Sequence, residues 1–261
     1  MPLGYSNLSG SRNYPKSLRR WRNVTASMSN PKRKNMAKSV TFKPVDMLIQ
    51  VAHDNNRPVE AALSDFLDYV LDVFKAENYT THDSMKSILS EAHDRNPVYY
   101  LVMLHWLSLV QGAMENGRWC DFFGNTYELM FQSKSKASRI GQFFTPRSVS
   151  DLLGDITASQ QENNAPQRIN DCCCGSGRLL LSHYMKNSSP QRYGTSVGYY
   201  VAQDIDPVSC KMCALNMMAH GMIGEVHCQD TLLMTPPVFS YYINEVRTPF
   251  PTPFYSVRRV D

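Results

Sequence analysis

Two different spacings of apolar residues divide the chain. In the stretch PVEAALSDFLDYVLDVFKAE, Leu63, Phe66, Leu67, Val70, Leu71 and Phe74 recur at steps of three, one, three, one and three. Such steps put them on one face of an α-helix. SMKSILSEAHDR predicts a second helix. VYYLVMLHWLSLVQGAMENG predicts a third, largely buried and ending near Gly117, with His105 and Trp106 as core residues. DFFGNTYELMFQS predicts a fourth, so residues 46–140 are expected to form a helical domain.

After Gly141 the pattern changes. PRSVSDLLGDITA predicts a helix opened by Pro146. QRIND is a short strand, GRLLLSHYMKN a helix, VGYYVAQDID a strand, PVSCKMCALNMMAHG a helix and EVHCQD a strand. His220, just before Gly221, reads as a helix-end residue favoured by the dipole. Alternation of this kind implies an α/β fold with a doubly wound, mostly parallel Rossmann-like sheet in residues 141–261. The tail NEVRTPFPTPFYSVRRV alternates prolines with aromatics, which suggests an extended strap or an edge strand.

Charge adds a third segment. The first 45 residues carry ten Lys or Arg and no acid, a charge of +10. The remainder has 17 basic against 23 acidic residues, a charge of −6. Residues 1–45 also lack periodicity, so they are expected to be a disordered arm. A basic arm on a mildly acidic body suits a polyanion, most simply DNA; a solvated leader is the alternative. Met36 opens MAKSVTF, which has the look of a second translation start. No apolar run of the ~18 residues a membrane span needs is present, so no membrane partner is expected. Seven cysteines, an odd number without a secreted framework, predict reduced thiols and a cytoplasmic setting.

The chemistry gathers at NDCCCGSGRLLL. A strand, then Cys-Gly-Ser-Gly, then a helix is a nucleotide-type turn: the glycines allow close backbone approach and the helix start offers free amides. Asp171, Asp204 and Asp230 stand at three consecutive predicted strand ends. Asp204 is placed to hold ribose hydroxyls and Asp230 to meet a base edge. A zinc site drawing on Cys210 and Cys213 of CKMC is the competing reading; small core cysteines are the simpler one, and no metal is expected.

GQFFTPRSVSDLL, NDCCCGSGRLLL, AQDIDPVSCKMCALNMMAHG and HCQDTL keep the order and spacing of motifs in N6-adenine DNA methyltransferases of the type I modification-subunit kind. DFFGNTYELMF resembles that family's lead-in helix, and small plasmid- or phage-borne methylases look like the nearest relatives. The resemblance covers roughly residues 119–232. It implies S-adenosylmethionine as cofactor, with Phe143, Phe144, Thr145 and Pro146 beside the methionine and sulfonium. Asp171, Gly175 and Gly177 would hold the amino-acid end, Asp204 the ribose and Asp230 the adenine amino group.

The family's catalytic motif, Asn or Asp followed by Pro-Pro and an aromatic residue, is matched here only by TPPVF. Thr235 stands for the Asn or Asp, Pro236 and Pro237 for the prolines, and Phe239 is one residue late as the stacking ring. Only TLLM separates Asp230 from Thr235, where a loop, a helix and a strand would fit in the family. The sequence thus leaves three functions open. One is an adenine-N6 methyltransferase of weak activity, with a preference for single-stranded DNA. Another is a degenerate relative that binds cofactor, DNA or a partner subunit. The third is a methyltransferase for another amine. A NAD-dependent oxidoreductase is remote, because Leu180 occupies the third glycine position of its fingerprint.

Overall fold

The computed structural model describes residues 44–131, 144–158, 167–187, 198–245 and 256–261. The basic arm up to residue 43, Phe143 and the proline-rich part of the tail lie outside the described residues. Among the described residues six helices come first: α1 (Pro44–Asp54), α2 (Val59–Val73), the one-turn α3 (Asn78–Thr81), α4 (Met85–Arg95), α5 (Pro97–Glu115) and α6 (Phe122–Phe131). Local chemistry sets their ends. Ser84 Oγ accepts the Ser87 amide at 3.2 Å to start α4, and Asn96 Oδ1 accepts the amides of Val98 and Tyr99 to start α5. Pro97 in the first turn of α5 carries no amide to leave unsatisfied.

Two of the helical boundaries differ from the sequence reading. α1 was not expected; Leu48 and Ala52 bury its inner face. The helix expected through Glu77 ends at Val73. There the backbone turns to meet the C-terminal strand: the Val257 amide donates to the Phe74 carbonyl and the Ala76 amide to the Val257 carbonyl, both at 2.9 Å. Phe66, Trp106 and Phe123 form the aromatic centre of the helical layer, with ring centroids 6.1 Å and 4.8 Å from Phe123.

The second part runs α7 (Arg147–Ala158), β1 (Gln167–Asp171), α8 (Arg178–Asn187), β2 (Gly198–Asp204), α9 (Pro207–Ala219), β3 (Ile223–Cys228), β4 (Phe239–Ile243) and β5 (Val257–Val260). The five strands stand in the order β1-β2-β3-β4-β5. β1, β2 and β3 are parallel, as the alternation predicts. β4 and β5 are antiparallel additions, so the sheet is mixed rather than mostly parallel. The connection explains this. Gln229 to Val238 is all that joins β3 to β4, and a parallel return needs a crossover of about a dozen residues or more. The reversal of strand order that double winding requires is not found among the described strands, and β1 is an edge strand there. The expectation of an edge strand in the tail corresponds to β5.

From Ser209 through Ala219 every residue of α9 except Lys211 is buried. The helix packs against β2, β3 and β4 on one side and α2 and α6 on the other, which is why its sequence is apolar all round rather than striped. Pro44 to Asp261 form one unit. No helix among the described residues is long and apolar enough to cross a membrane. Because Cys228 pairs with Phe239, antiparallel β4 begins at the rim where β3 ends. Asp171, Asp204, Asp230 and the Thr-Pro-Pro segment are thereby brought to one edge of the sheet.

Candidate functional site

The turn after β1 is shaped by its glycines. Gly175 and Gly177 have φ of +52° and +88°, the left-handed region that side chains resist. Both are also crowded: a β-carbon on Gly175 would lie 3.3 Å from the Phe144 ring, and one on Gly177 2.9 Å from Cys213 Sγ. Phe144 therefore lies against the turn. The turn is fastened to β2 as well. The Cys174 amide donates to the Gln203 carbonyl at 2.9 Å, and the Gly175 amide donates to Asp204 Oδ2 at 2.8 Å.

The three rim carboxylates differ in state. Asp171 Oδ1 accepts the Cys173 amide at 3.2 Å, while its Oδ2 is buried without a hydrogen-bond partner. Burial pushes the Asp171 carboxyl above its ordinary value, the Cys173 amide works the other way, and the charge of Asp204 adds to the rise. Asp204 accepts from Gly175 with one oxygen and from the Asp206 amide with the other, at 2.9 Å. Asp230 Oδ1 accepts the amides of Leu232 and Leu233, both at 3.0 Å. Thr231 then reaches across the rim and donates its hydroxyl to the Cys172 carbonyl at 3.1 Å. Loops after β1 and β3 are joined by this bond.

Behind the turn lies a charged cluster that sequence reading missed. Asp121 is 2 % exposed and Arg178 7 %. Asp121 Oδ2 accepts from Ser176 Oγ at 2.7 Å and Arg178 Nε at 2.5 Å; its Oδ1 accepts from the Gly124 amide and Asn216 Nδ2, both at 2.8 Å. Arg178 also holds both oxygens of Glu128, Asn125 Oδ1 and the Thr145 carbonyl. Its guanidinium stands 5.3 Å over the Phe144 ring. Burial alone would lower the Arg178 pKa, but Glu128 and Asp121 outweigh it and raise it further. One arginine thus ties α6, the Thr145 backbone and the Phe144 ring to the glycine turn. The available signal was a lone acid inside WCDFFG and a lone cation opening RLLL, each stranded in an apolar run.

TPPVF sits at the same rim, in an arrangement other than a catalytic motif would require. Thr235 Oγ1 accepts the Asp230 amide at 3.2 Å, and the Thr235 amide donates back to the Asp230 carbonyl at 3.2 Å, so the threonine closes its own loop. Phe239 belongs to β4 and is 6 % exposed. Tyr241 lies at 5.3 Å and the Arg259 guanidinium at 4.7 Å over its ring, so it offers no stacking face at the surface. Pro236, Pro237 and Val238 are exposed, as are Leu232, Leu233 and Met234.

A cleft of about 760 Å³ lies beside this rim rather than on it. Phe144, Pro146 and Arg178 form one wall, and Asn116, Arg118, Trp119, Asn125 and Arg147 help to form the rest. None of the three rim carboxylates lines it. Cys174, Cys210, Cys213 and Cys228 are buried, while Cys172 and Cys173 are exposed on the turn. Cys210 Sγ donates to the Asp204 and His227 carbonyls, which accounts for it as a packed core thiol. His220 is the C-cap of α9, as its position predicts, but it is fully buried rather than a cation on the helix dipole. Its Nδ1 meets the Asn216 carbonyl at 2.7 Å and its Nε2 accepts the Cys120 amide at 3.1 Å. Burial lowers its pKa to about 4, so the ring is neutral.

Residues 118–241 match the family model described as N-6 DNA Methylase. The methylase subunit of the type I restriction enzyme MpnII from Mycoplasma pneumoniae is 31% identical over 104 residues, 39% of this chain and 18% of that protein. The methylase subunit of the type I restriction enzyme MjaIX from Methanocaldococcus jannaschii is 23% identical over 176 residues, 65% of this chain and 29% of that protein. This chain therefore spans less than a third of either relative. A type I restriction-modification methyltransferase subunit from Streptococcus thermophilus, of known structure, aligns at 20% identity and a TM-score of 0.37, over 75% of this chain and 52% of that one. Over residues 118–241 the chain is thus similar to the N-6 DNA methylases, and both of these relatives are methylase subunits of type I restriction enzymes.

Proposed function

We propose that the chain binds S-adenosylmethionine at the rim of β1, β2 and β3 and transfers a methyl group, slowly, to the N6 amine of adenine in DNA. The observation that carries this reading is Asp171 Oδ2, a buried acceptor without a partner, beside the positive-φ glycine turn. An unpaired buried carboxylate oxygen costs free energy unless a ligand donor meets it, and the cofactor's ammonium is such a donor. Asp171, Gly175 and Gly177 would hold that end, Phe143, Phe144, Thr145 and Pro146 the methionine and sulfonium, Asp204 the ribose and Asp230 the adenine amino group. When bound, the cofactor supplies a methyl group on a positively charged sulfur. Arg178 keeps Phe144 and the Thr145 carbonyl in place. The β3–β4 loop presents Thr235, Pro236 and Pro237 to the substrate from the same rim.

The relatives are type I methylase subunits, which supports DNA as substrate and a partner subunit in the assembly. In this reading the helices of residues 46–140 carry the core of residues 141–261, and the basic arm of residues 1–45 contacts DNA phosphates. A second reading is favoured by one observation. With Thr235 Oγ1 engaged in closing its own loop and Phe239 buried, the motif offers a weakened acceptor and no stacking ring. The chain then binds cofactor and DNA without transfer. Titration calorimetry with S-adenosylmethionine, then radiolabelled transfer to unmethylated single- and double-stranded oligonucleotides, separates the two. Binding with slow transfer is the expected result. Binding without transfer leaves the second reading, and absence of binding overturns both.

A further inference from the structure

We infer that the cleft walled by Arg118, Arg147 and Phe144 is a binding site for the sugar-phosphate backbone of a nucleic-acid strand, beside the cofactor rim and sharing Phe144 and Pro146 with it. This inference rests on the DNA reading above and assigns a place to the substrate.

Size is the first argument: about 760 Å³ accommodates a nucleotide-sized segment. Charge is the second. Arg178 is neutralised by Asp121 and Glu128, and Arg147 shares Asp151 at 3.6 Å while lying 4.5 Å over the Trp119 ring. Arg118, exposed at the mouth, has no ion pair among the described residues. It is left to meet an anion from outside. Location is the third. Phe144 is a wall of the cleft and also lies where a β-carbon on Gly175 would touch it at 3.3 Å. A strand in the cleft therefore runs one aromatic ring away from the turn assigned to the methyl donor. Asn116 Nδ2 is already bound to the Gly112 carbonyl at 2.7 Å, which leaves Arg118 to make the charged contact. Arginine is the side chain best suited to phosphate because its donors form a planar fork.

Arg118 also follows the C-terminus of α5, where a cation steadies a helix. The test therefore includes a readout that this role would not move. Full-length protein is titrated with a short mixed-sequence single-stranded oligonucleotide across a salt series. Arg118→Gln is expected to reduce the slope of log affinity against log salt by about 0.7 for the lost phosphate contact. Arg118→Lys should restore the slope, and affinity for S-adenosylmethionine should be unchanged in both variants. A slope identical to wild type in Arg118→Gln overturns the cleft and leaves the DNA reading standing. Wild type that binds cofactor but no oligonucleotide overturns both. Equal loss of slope with polyglutamate in place of the oligonucleotide reassigns the cleft to an acidic protein and overturns the proposal.

Discussion

Gly175 donates its amide to Asp204 across 2.8 Å, binding the turn after β1 to the end of β2. The same carboxylate accepts the Asp206 amide, so it fixes the entry to α9 as well. Asp204 thus shapes the site before any ribose reaches it. Asp204→Ala should weaken S-adenosylmethionine at least about tenfold, since hydrogen bonds to charged groups contribute ~1.5–3 kcal/mol. It should also lower stability by about 1 kcal/mol, because two part-buried amides lose their acceptor. Calorimetry and denaturant unfolding measure the two effects; wild-type affinity in Asp204→Ala would sink the cofactor assignment.

The Asp121–Arg178 pair predicts strong non-additivity. Arg178→Met leaves a buried carboxylate without its cation and should cost ~3–5 kcal/mol. Asp121→Asn combined with Arg178→Met removes both charges and should recover part of that loss. Urea unfolding of the two single variants and the double variant completes the cycle. Purely additive losses would mean that the pair does not act as a unit.

His220 makes stability fall with acid. Its folded pKa is about 4, against ~6.5 in the unfolded chain. The unfolded state therefore binds a proton first as pH drops, and stability declines from about pH 6.5 and levels off below about pH 4. The loss from this group is about 3 kcal/mol. The rise in the Asp171 pKa acts in the opposite direction over the carboxylate range, favouring the fold as pH falls. Thermal melts of wild type and His220→Gln across that window are the check. An equally steep acid dependence in the variant would assign the loss to other groups.

Methyl transfer should respond to Val238, not Phe239. Val238 is exposed at the rim, whereas Phe239 lies under Arg259 in β4. Val238→Tyr with Thr235→Asn supplies a surface ring, worth about 1–3 kcal/mol in base stacking, and a carbonyl acceptor. Transfer to single-stranded oligonucleotide should rise. Phe239→Leu should lower thermal stability and leave the single- to double-strand preference unchanged. A preference that moves with Phe239→Leu would return the stacking role to that residue.

The elements with strong local signals were legible in the sequence. QRIND matches β1, and the parallel β1-β2-β3 core follows from the alternation of strands and helices. The glycine turn was readable because positive φ combined with close packing against Phe144 and Cys213 favours glycine there. The direction of β4 was hidden: it depends on the length of one connection, and FSYYI carries no mark of its neighbour. The Asp121–Arg178 cluster was hidden for another reason. Its partners stand 57 positions apart in the chain, and no periodicity links residues that meet only through packing. His220 was misread because its position in the helix was visible and its burial beneath Cys120 was not.

Asp121 receives donors from three stretches of the chain: Gly124 beside it, Ser176 and Arg178 on the turn, and Asn216 in α9. A gene recombining between the codons for residues 131 and 144 would give its product the acid from one parent and the arginine from the other. Unless both parents had matched that pair, the descendant would carry an unpaired buried charge. The lead-in helix and the glycine turn must therefore be inherited together, even though a long stretch of sequence separates them.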